Sequence, residues 1–347
     1  MLRRINIEQY LYDFGSLPVV DVRSPGEYEK GHIPNAVNIP IFSDEERAMV
    51  GTAYKQVSRE RAIEIGMKFV QPKLQGFVND ARRVAPDKTL VVHCWRGGMR
   101  SQSFAQHLVD NGFERVYVIE KGYKAYRTQV LNGFNNDAQL VVIGGFTGSA
   151  KTELIKHIKD TSDQQVIDLE RLANHRGSAF GGIDQGPQPT TEQFENNLFW
   201  EWKDLDLDQP IWIEDESRAV GTNVIPQALF ENMRRCRLYF LDIPREERAR
   251  HLVKDYGGVN KEALKASIMR ISSRLGGLNT QRALHHLEQG EMYDVAMMML
   301  VYYDKYYSKG VAKRDPEMVT SIPLKTANPI ENSIEIKKIL SDFLLRL

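Results

Sequence analysis

Cysteine is scarce: two residues, Cys94 and Cys236, in a chain of 347. That leaves no disulfide framework to build on, and no C-x-x-C pair offers metal-ligand spacing. Free thiols in a reducing, cytoplasmic setting are the expectation. Net charge is also missing, since 46 basic residues balance 46 acidic ones. The imbalance between the two halves is mild, so charge alone announces no nucleic-acid binder. No apolar run nears the ~20 residues of a membrane span. The opening MLRRINIEQYLYDF lacks a signal-peptide core, so neither a span nor a leader is expected. Internal repeats and low-complexity tracts are absent as well. What remains is 42% hydrophobic and 27% charged residues, a globular composition with apolar material for two cores.

The chain reads as two α/β halves. In the first, β-branched runs at Pro18–Val22, Thr89–Cys94 and Arg115–Ile119 predict strands. Helical patterns lie between them, including Ser101–Asp110, which Asn111-Gly112 would stop. Strands alternating with helices predict a parallel sheet. A helical insertion is expected at about 43–84, opened by SDEERAMV. It carries Lys55, Arg59, Arg61, Lys68, Lys73, Arg82 and Arg83, which fit either a solvated helix face or an RNA-facing surface. The first domain is placed at 1–130, a Gly/Asn-rich linker at 131–137, and the second domain at 138–347. In the second domain, strands are expected at Gln139–Ile143, Gln165–Leu169, Pro210–Ile213 and Arg237–Ile243. Helices are expected at Lys151–Lys159, Glu192–Leu205, Val224–Arg235 and Glu246–Asp255, with mostly helix from Lys261 onward.

The stretch HCWRGGMRSQS places Cys94 between a strand end and a helix start. A free thiol ionises near pH ~8.5. Loop amides at Trp95, Gly97, Gly98 and Met99, with the cations Arg96 and Arg100, would favour its thiolate and a bound tetrahedral anion. The plainer reading is a buried, inert cysteine. In the second half, GGFTGSAKT follows a strand and opens a helix, the setting of a P-loop. Gly145, Phe146, Thr147, Gly148, Ser149 and Ala150 would cradle a diphosphate, with Lys151 neutralising it. Ala150 stands where glycine is usual, which puts ATP turnover in more doubt than phosphate binding. PIWIED (Pro210–Asp215) ends in acids, so Thr152 and Asp215 are the candidate Mg2+ ligands, with Glu214 and Glu216 as neighbours. Arg245, Arg248 and Arg250 fit lid arginines or a solvated helix face. The loops DLERLANHRGSAFGG and EDESRAVG add His175, Arg176, Ser178 and Arg218.

DVRSPGEYEKGHIPNAVNIP, Asp21–Pro40, closely resembles the signature of rhodanese domains, a family whose active cysteine follows a central strand. Asp21, Arg23 and His32 read there as scaffold. Many single-domain rhodaneses show C-x-x-G-x-R, whereas this chain has C-x-x-G-G-M-R. The longer loop also spells H-C-x5-R, the pattern of cysteine phosphatases. With the P-loop half and its two polar loops, the whole chain resembles the tRNA 2-selenouridine synthase family, and Ala150 is its clearest departure. The resemblance implies a transferase acting on the wobble 2-thiouridine of tRNAs for Lys, Glu and Gln. Geranyl diphosphate would S-geranylate that base, and selenophosphate would then deliver selenium through a Cys94 selanyl intermediate. It implies tRNA contact at the anticodon loop, no tightly bound cofactor and a monomer. Phe180, Phe194, Phe199, Trp200 and Trp202 are candidates for a prenyl slot, though their helical spacing also suits core. Two rivals stay open: a cysteine phosphatase fused to a P-loop kinase, and a non-catalytic sulfur carrier.

Overall fold

The computed structural model describes residues 1–177, 185–256 and 260–344. The chain forms two compact units. One is Met1–Gly133 with Glu195–Asn197, and the other is Phe134–Phe194 with Leu198–Leu347.

The first unit is built on β1 (Leu2–Ile5), β2 (Val19–Asp21), β3 (Val37–Asn38), β4 (Thr89–His93) and β5 (Arg115–Ile119). They pair in parallel in the order β1-β5-β4-β2-β3. The middle strand, β4, is buried at every residue, as a strand covered on both faces must be. Val20, Val92 and Val118 meet Phe77, Phe104 and Leu108 in the core. Between β3 and β4 lie helices Asp44–Gln56, Arg59–Val70 and Leu74–Val84. Ser43 and Glu46 close a capping box on the first of them, satisfying amides the helix itself leaves open. Several basic residues of this insertion answer local acids. Arg61 and Lys68 flank Glu64, Arg83 pairs with Asp80, and Lys73 pairs with Glu46. The helix after Cys94 begins at Met99, two residues earlier than the apolar spacing predicts.

The second unit holds β6 (Leu140–Gly145), β7 (Gln165–Ile167), β8 (Ile211–Glu214), β9 (Ala219–Val220), β10 (Asn223–Val224), β11 (Leu238–Asp242) and β12 (Val319–Pro323). Five of them form a parallel sheet, β12-β11-β6-β8-β7, and β9 pairs antiparallel with β10. That hairpin corrects the expected helix at Val224: Asn223–Val224 belongs to a strand, and the helix starts at Gln227 after Pro226. Val141, Ile143, Trp212 and Leu241 pack on Ile155 and Ile158 of the helix that follows the P-loop. Beyond residue 260, helices Lys261–Arg270, Gly277–Gln289 and Met292–Val311 bury Leu264, Ile268, Leu287, Val295 and Met299 together. This region is mostly helical, as expected, and also contributes β12 to the sheet. Among the described residues, no helix is long and apolar enough to cross a membrane.

Candidate functional site

In the first unit, β4 delivers His93 to the sheet's C-terminal edge and Cys94 begins the loop. Two glycines hold that loop. Gly97 has φ +62°, and a Cβ there would lie 2.3 Å from the Ile119 carbonyl. Gly122 has φ +54°, and its Cβ would lie 2.1 Å from the Cys94 carbonyl. Such approaches exclude any side chain. The loop is tied down by Tyr123 N–H donating to Cys94 O (2.9 Å) and Lys124 N–H to Trp95 O (3.0 Å). Among the described residues, the amides of Trp95, Arg96, Gly97 and Gly98 donate no hydrogen bond. They form a donor-rich loop of the kind that seats anions.

Cys94 is 3% exposed, and its Sγ lies 3.3 Å from Ser101 Oγ. Ser101, which no sequence motif singles out, lies in the first turn of the next helix, and its hydroxyl donates to the Gly98 carbonyl at 3.2 Å. Trp95, Arg96 and Met99 are exposed. Arg100 is not free for the thiol: its Nη1 donates to Glu27 Oε2 at 2.8 Å, and Arg47 lies on the same carboxylate at 3.3 Å. Burial alone would raise Glu27, but the hydrogen bond and charge of Arg100, with Arg47, bring it below the usual carboxyl range. Beneath the loop, Arg23 forks onto Asp21 and donates to the Gly31 carbonyl at 2.7 Å. Its guanidinium lies 3.9 Å from the centre of the Tyr123 ring. His93 is fully buried, which lowers its pKa to about 4 against the opposing pull of Asp21, so it is neutral at physiological pH. For Asp21, burial works upward, and His93 and Arg23 outweigh it. With His93 uncharged, the Arg23 fork is what remains.

In the second unit, the P-loop leaves the C-terminal end of β6, the middle strand. β7 and β8 follow β6 on one side of it and β11 and β12 on the other, a switch in strand order of the kind where parallel sheets bind ligands. Lys151 Nζ donates to the Gly145 carbonyl at 3.0 Å. Ala150 caps the following helix with φ +53°. Arg248 is buried; it donates to the Thr147 carbonyl at 3.1 Å and forks onto Asp304 at 2.8 and 2.9 Å. Arg245 joins the same aspartate at 3.0 Å, while Arg250 pairs with Glu247 on its own helix.

The expected pairing of Thr152 with Asp215 is not assembled. Asp215 accepts from Arg234 (2.6 Å), Arg314 (2.8 Å) and Tyr307 (2.9 Å). Thr152 Oγ1 instead donates to Glu170 Oε2 at 2.7 Å. Glu170, Glu214 and Glu216 stand together, each offering an oxygen within 4.8 Å of the others. Burial, then mutual repulsion, pushes Glu214 well above the usual carboxyl range and Glu216 up to about 8. Burial raises Glu170 too, with Thr152 and Lys151 opposing.

A cleft of about 1130 Å³ opens over these groups. The P-loop from Thr147 to Thr152 lines it, with His175, Arg176, Asp215 and Glu216 on one side and Tyr302, Tyr303 and Tyr306 on another. Arg218 is exposed and bonds Gln227 outside that lining. Ser178 and Phe180 lie outside the described residues. Phe194, Phe199 and Trp202 are buried core, and neither they nor Trp200 line the cleft. Glu170, Arg234, Tyr307 and Arg314 went unmarked in sequence. Their only signal is the acid following Asp168, because the rest arrive from distant segments.

Comparison with known proteins agrees with this division. Residues 6–129 match the rhodanese-like domain, and residues 138–262 match the family model described as the tRNA 2-selenouridine synthase AAA domain. A tRNA 2-selenouridine synthase of Nitrosomonas eutropha is 40% identical over 250 residues, covering 69% of this chain and 63% of that protein. The chain thus spans less than two thirds of that relative. One from a Sulfurovum species is 35% identical over 84% of this chain and 87% of its own length. One from Shewanella denitrificans is 32% identical over 87% and 90%.

Proposed function

This chain belongs to the tRNA 2-selenouridine synthase family, and from that premise we propose that it replaces sulfur by selenium in the wobble 2-thiouridine of tRNAs for Lys, Glu and Gln. It acts as a two-step transferase, in the cytoplasm where its tRNA substrate resides. The observation that carries this reading is two loops in one chain built as anion seats would be: a cysteine loop with undonated amides on one sheet and a P-loop on the other.

The P-loop takes geranyl diphosphate. The base sulfur attacks the prenyl carbon, the C–O bond breaks, and pyrophosphate leaves with the electron pair. Loop amides and Lys151 stabilise that leaving charge. Phe230, Leu252, Ile271, Tyr302 and Tyr306, all lining the cleft, give the prenyl chain its apolar wall in place of the buried aromatics of the helix Thr191–Trp202. A divalent cation bound near Thr152 would supply further charge neutralisation.

Selenophosphate takes the Cys94 loop. Electron balance decides the point of attack. A thiolate attacking selenium, the selanyl route, would leave the P–Se electron pair on phosphorus and release phosphite. Attack at phosphorus conserves its oxidation state: the Cys94 S–P bond forms, the P–Se bond breaks, and hydroselenide departs. Hydroselenide then adds at C2 of the geranylated base and expels geranylthiolate. Water cleaves the S-phosphocysteine to phosphate, and the departing thiolate has Ser101 Oγ beside it. Alkylation first makes chemical sense, because it turns a poor leaving group into a thiolate.

Nucleoside mass spectrometry of tRNA from a deletion strain carrying each variant tests the scheme. Cys94→Ala accumulates S-geranylated nucleoside without selenouridine. Lys151→Ala retains 2-thiouridine, yet converts pre-geranylated RNA in vitro. If each variant lost both steps, the two-seat reading would be wrong. Radiophosphate on wild-type protein after selenophosphate treatment marks attack at phosphorus; radioselenium on Cys94 without radiophosphate marks the selanyl route.

A further inference from the structure

A P-loop fold implies a divalent cation beside the threonine of its loop, and the residues present determine where one fits. Asp215 is a poor ligand, because Arg234, Arg314 and Tyr307 already occupy both of its oxygens. The three glutamates next to Thr152 present a different picture. Glu214 has no solvent exposure, and neither of its carboxylate oxygens has a hydrogen-bond partner. Glu216 is buried, and Glu170 is partly buried with one oxygen on Thr152. Gly177 lies over them: a Cβ there would stand 2.6 Å from Glu170 Oε1 and 2.9 Å from Glu216 Oε1. Its φ of +64° favours glycine, and any side chain there would crowd the carboxylates.

Three carboxylates this close and this buried cannot all be ionised without a counter-charge. The buried Glu214 oxygens reach no protein donor at hydrogen-bond distance, so they remain available to a ligand. A bare cation needs only the oxygens. The set contains carboxylate and hydroxyl oxygen with no nitrogen or sulfur, the donor chemistry of hard divalent ions. We propose that Glu170, Glu214 and Glu216, and not Asp215, hold a divalent cation of the Mg2+/Mn2+ class beside Thr152. Asp215 instead anchors Arg234 and Arg314 at the wall of the cleft. The assignment concerns the ion alone, so it can fail while the geranylation reading stands, and the reverse.

The test is Mn2+ uptake by full-length protein, with free Mn2+ read by electron paramagnetic resonance and Mg2+ as competitor. Wild type is expected to bind one Mg2+-displaceable ion. Glu170→Gln/Glu214→Gln is expected to weaken it on the order of 10- to 100-fold, and Asp215→Asn by no more than about 3-fold. Thermal melting guards against misfolding. Removing two repelling carboxylates should leave the metal-free melting temperature equal or higher, while its rise on adding Mg2+ disappears. The assignment is overturned if the double variant keeps wild-type affinity, if wild type takes up no displaceable ion, or if Asp215→Asn alone abolishes uptake. Loss of uptake in His251→Ala would overturn it as well, by moving the ion to the Glu153, His251, Asp255 group.

Discussion

The two units launch their loops from the same place, the C-terminal end of the middle strand in a five-stranded parallel sheet, and then treat charge in opposite ways. Around Cys94, every buried charge is answered. Arg23 has Asp21, Arg100 has Glu27, and His93 is neutral. Around Lys151, acids are in surplus, with Glu170, Glu214 and Glu216 massed behind one lysine. Topology places a glycine-bearing loop at that position in both cases. On the proposed reading, the side chains beneath the loops fit one to carry a sulfur nucleophile and the other to receive a leaving diphosphate. On that reading the first loop offers an anion its amides and Arg96, while the second has carboxylates in place to bring a cation along.

The comparison requires the units to be separable, and Asp304→Ala should give the largest effect that bears on it. Asp304 is the shared partner of Arg248 and Arg245, and Arg248 is only 3% exposed while gripping the Thr147 carbonyl. Removing the aspartate leaves a buried guanidinium without its counter-ion, a loss of about 3–5 kcal/mol. Hydrogen exchange should show β6 and β11 losing protection while β4 and β5 keep theirs. Equal losses in both units would mean that they do not stand apart.

The same contrast explains what the sequence disclosed. Interior strands such as β4 and β6 are unbroken buried runs, so they can be read without tertiary context. The strands that escaped notice in the main sheets, β1, β3 and β12, all sit at edges, with burial patterns ieeB, ei and iieBe. Half-exposed, they lack a continuous apolar signal. The loops themselves were legible because each is contiguous. Their partners were not: Glu27 lies 73 positions from Arg100, Tyr307 lies 92 from Asp215, and Arg314 lies 99 from it. No local pattern links such pairs, so the charge balance of each site was visible only in the fold.

A second test exploits the neutral histidine. His93 has a folded pKa of about 4, against 6.5 ordinarily. Well above pH 6.5 neither state is protonated, and this contribution to stability is intact. As pH falls from 6.5 to 4, the unfolded chain takes up a proton that the folded chain refuses. Stability should fall by about 1.4 kcal/mol per pH unit over that window at most. Its total is roughly 2–3 kcal/mol. His93→Gln should flatten the slope, whatever its effect at neutral pH. Denaturant unfolding of both proteins at pH 7, 6, 5 and 4, followed at β4 by hydrogen exchange, measures the difference. Parallel pH profiles would show that His93 is not the acid-sensitive element of the first unit.

The smallest effect concerns the backbone. Gly97 and Gly122 tolerate no Cβ, whereas Ala150 holds a comparable left-handed conformation with one. Ala150→Gly should relieve about 1–2 kcal/mol of left-handed strain. Against that stand the entropy gained by the unfolded chain, about 0.4–1 kcal/mol, and the loss of a buried methyl, about 0.8 kcal/mol. Ala150 is part of the core around Leu154 and Ile155, so the methyl is in use. The terms nearly cancel, and stability should shift by less than about 1 kcal/mol in chemical denaturation. Diphosphate affinity, measured by calorimetry with pyrophosphate, should change little, because Ala150 already holds the left-handed conformation a glycine would adopt. A gain in pyrophosphate affinity of ~10-fold or more, equivalent to about 1.4 kcal/mol, would instead mean that the Ala150 side chain holds the second loop away from the geometry it needs.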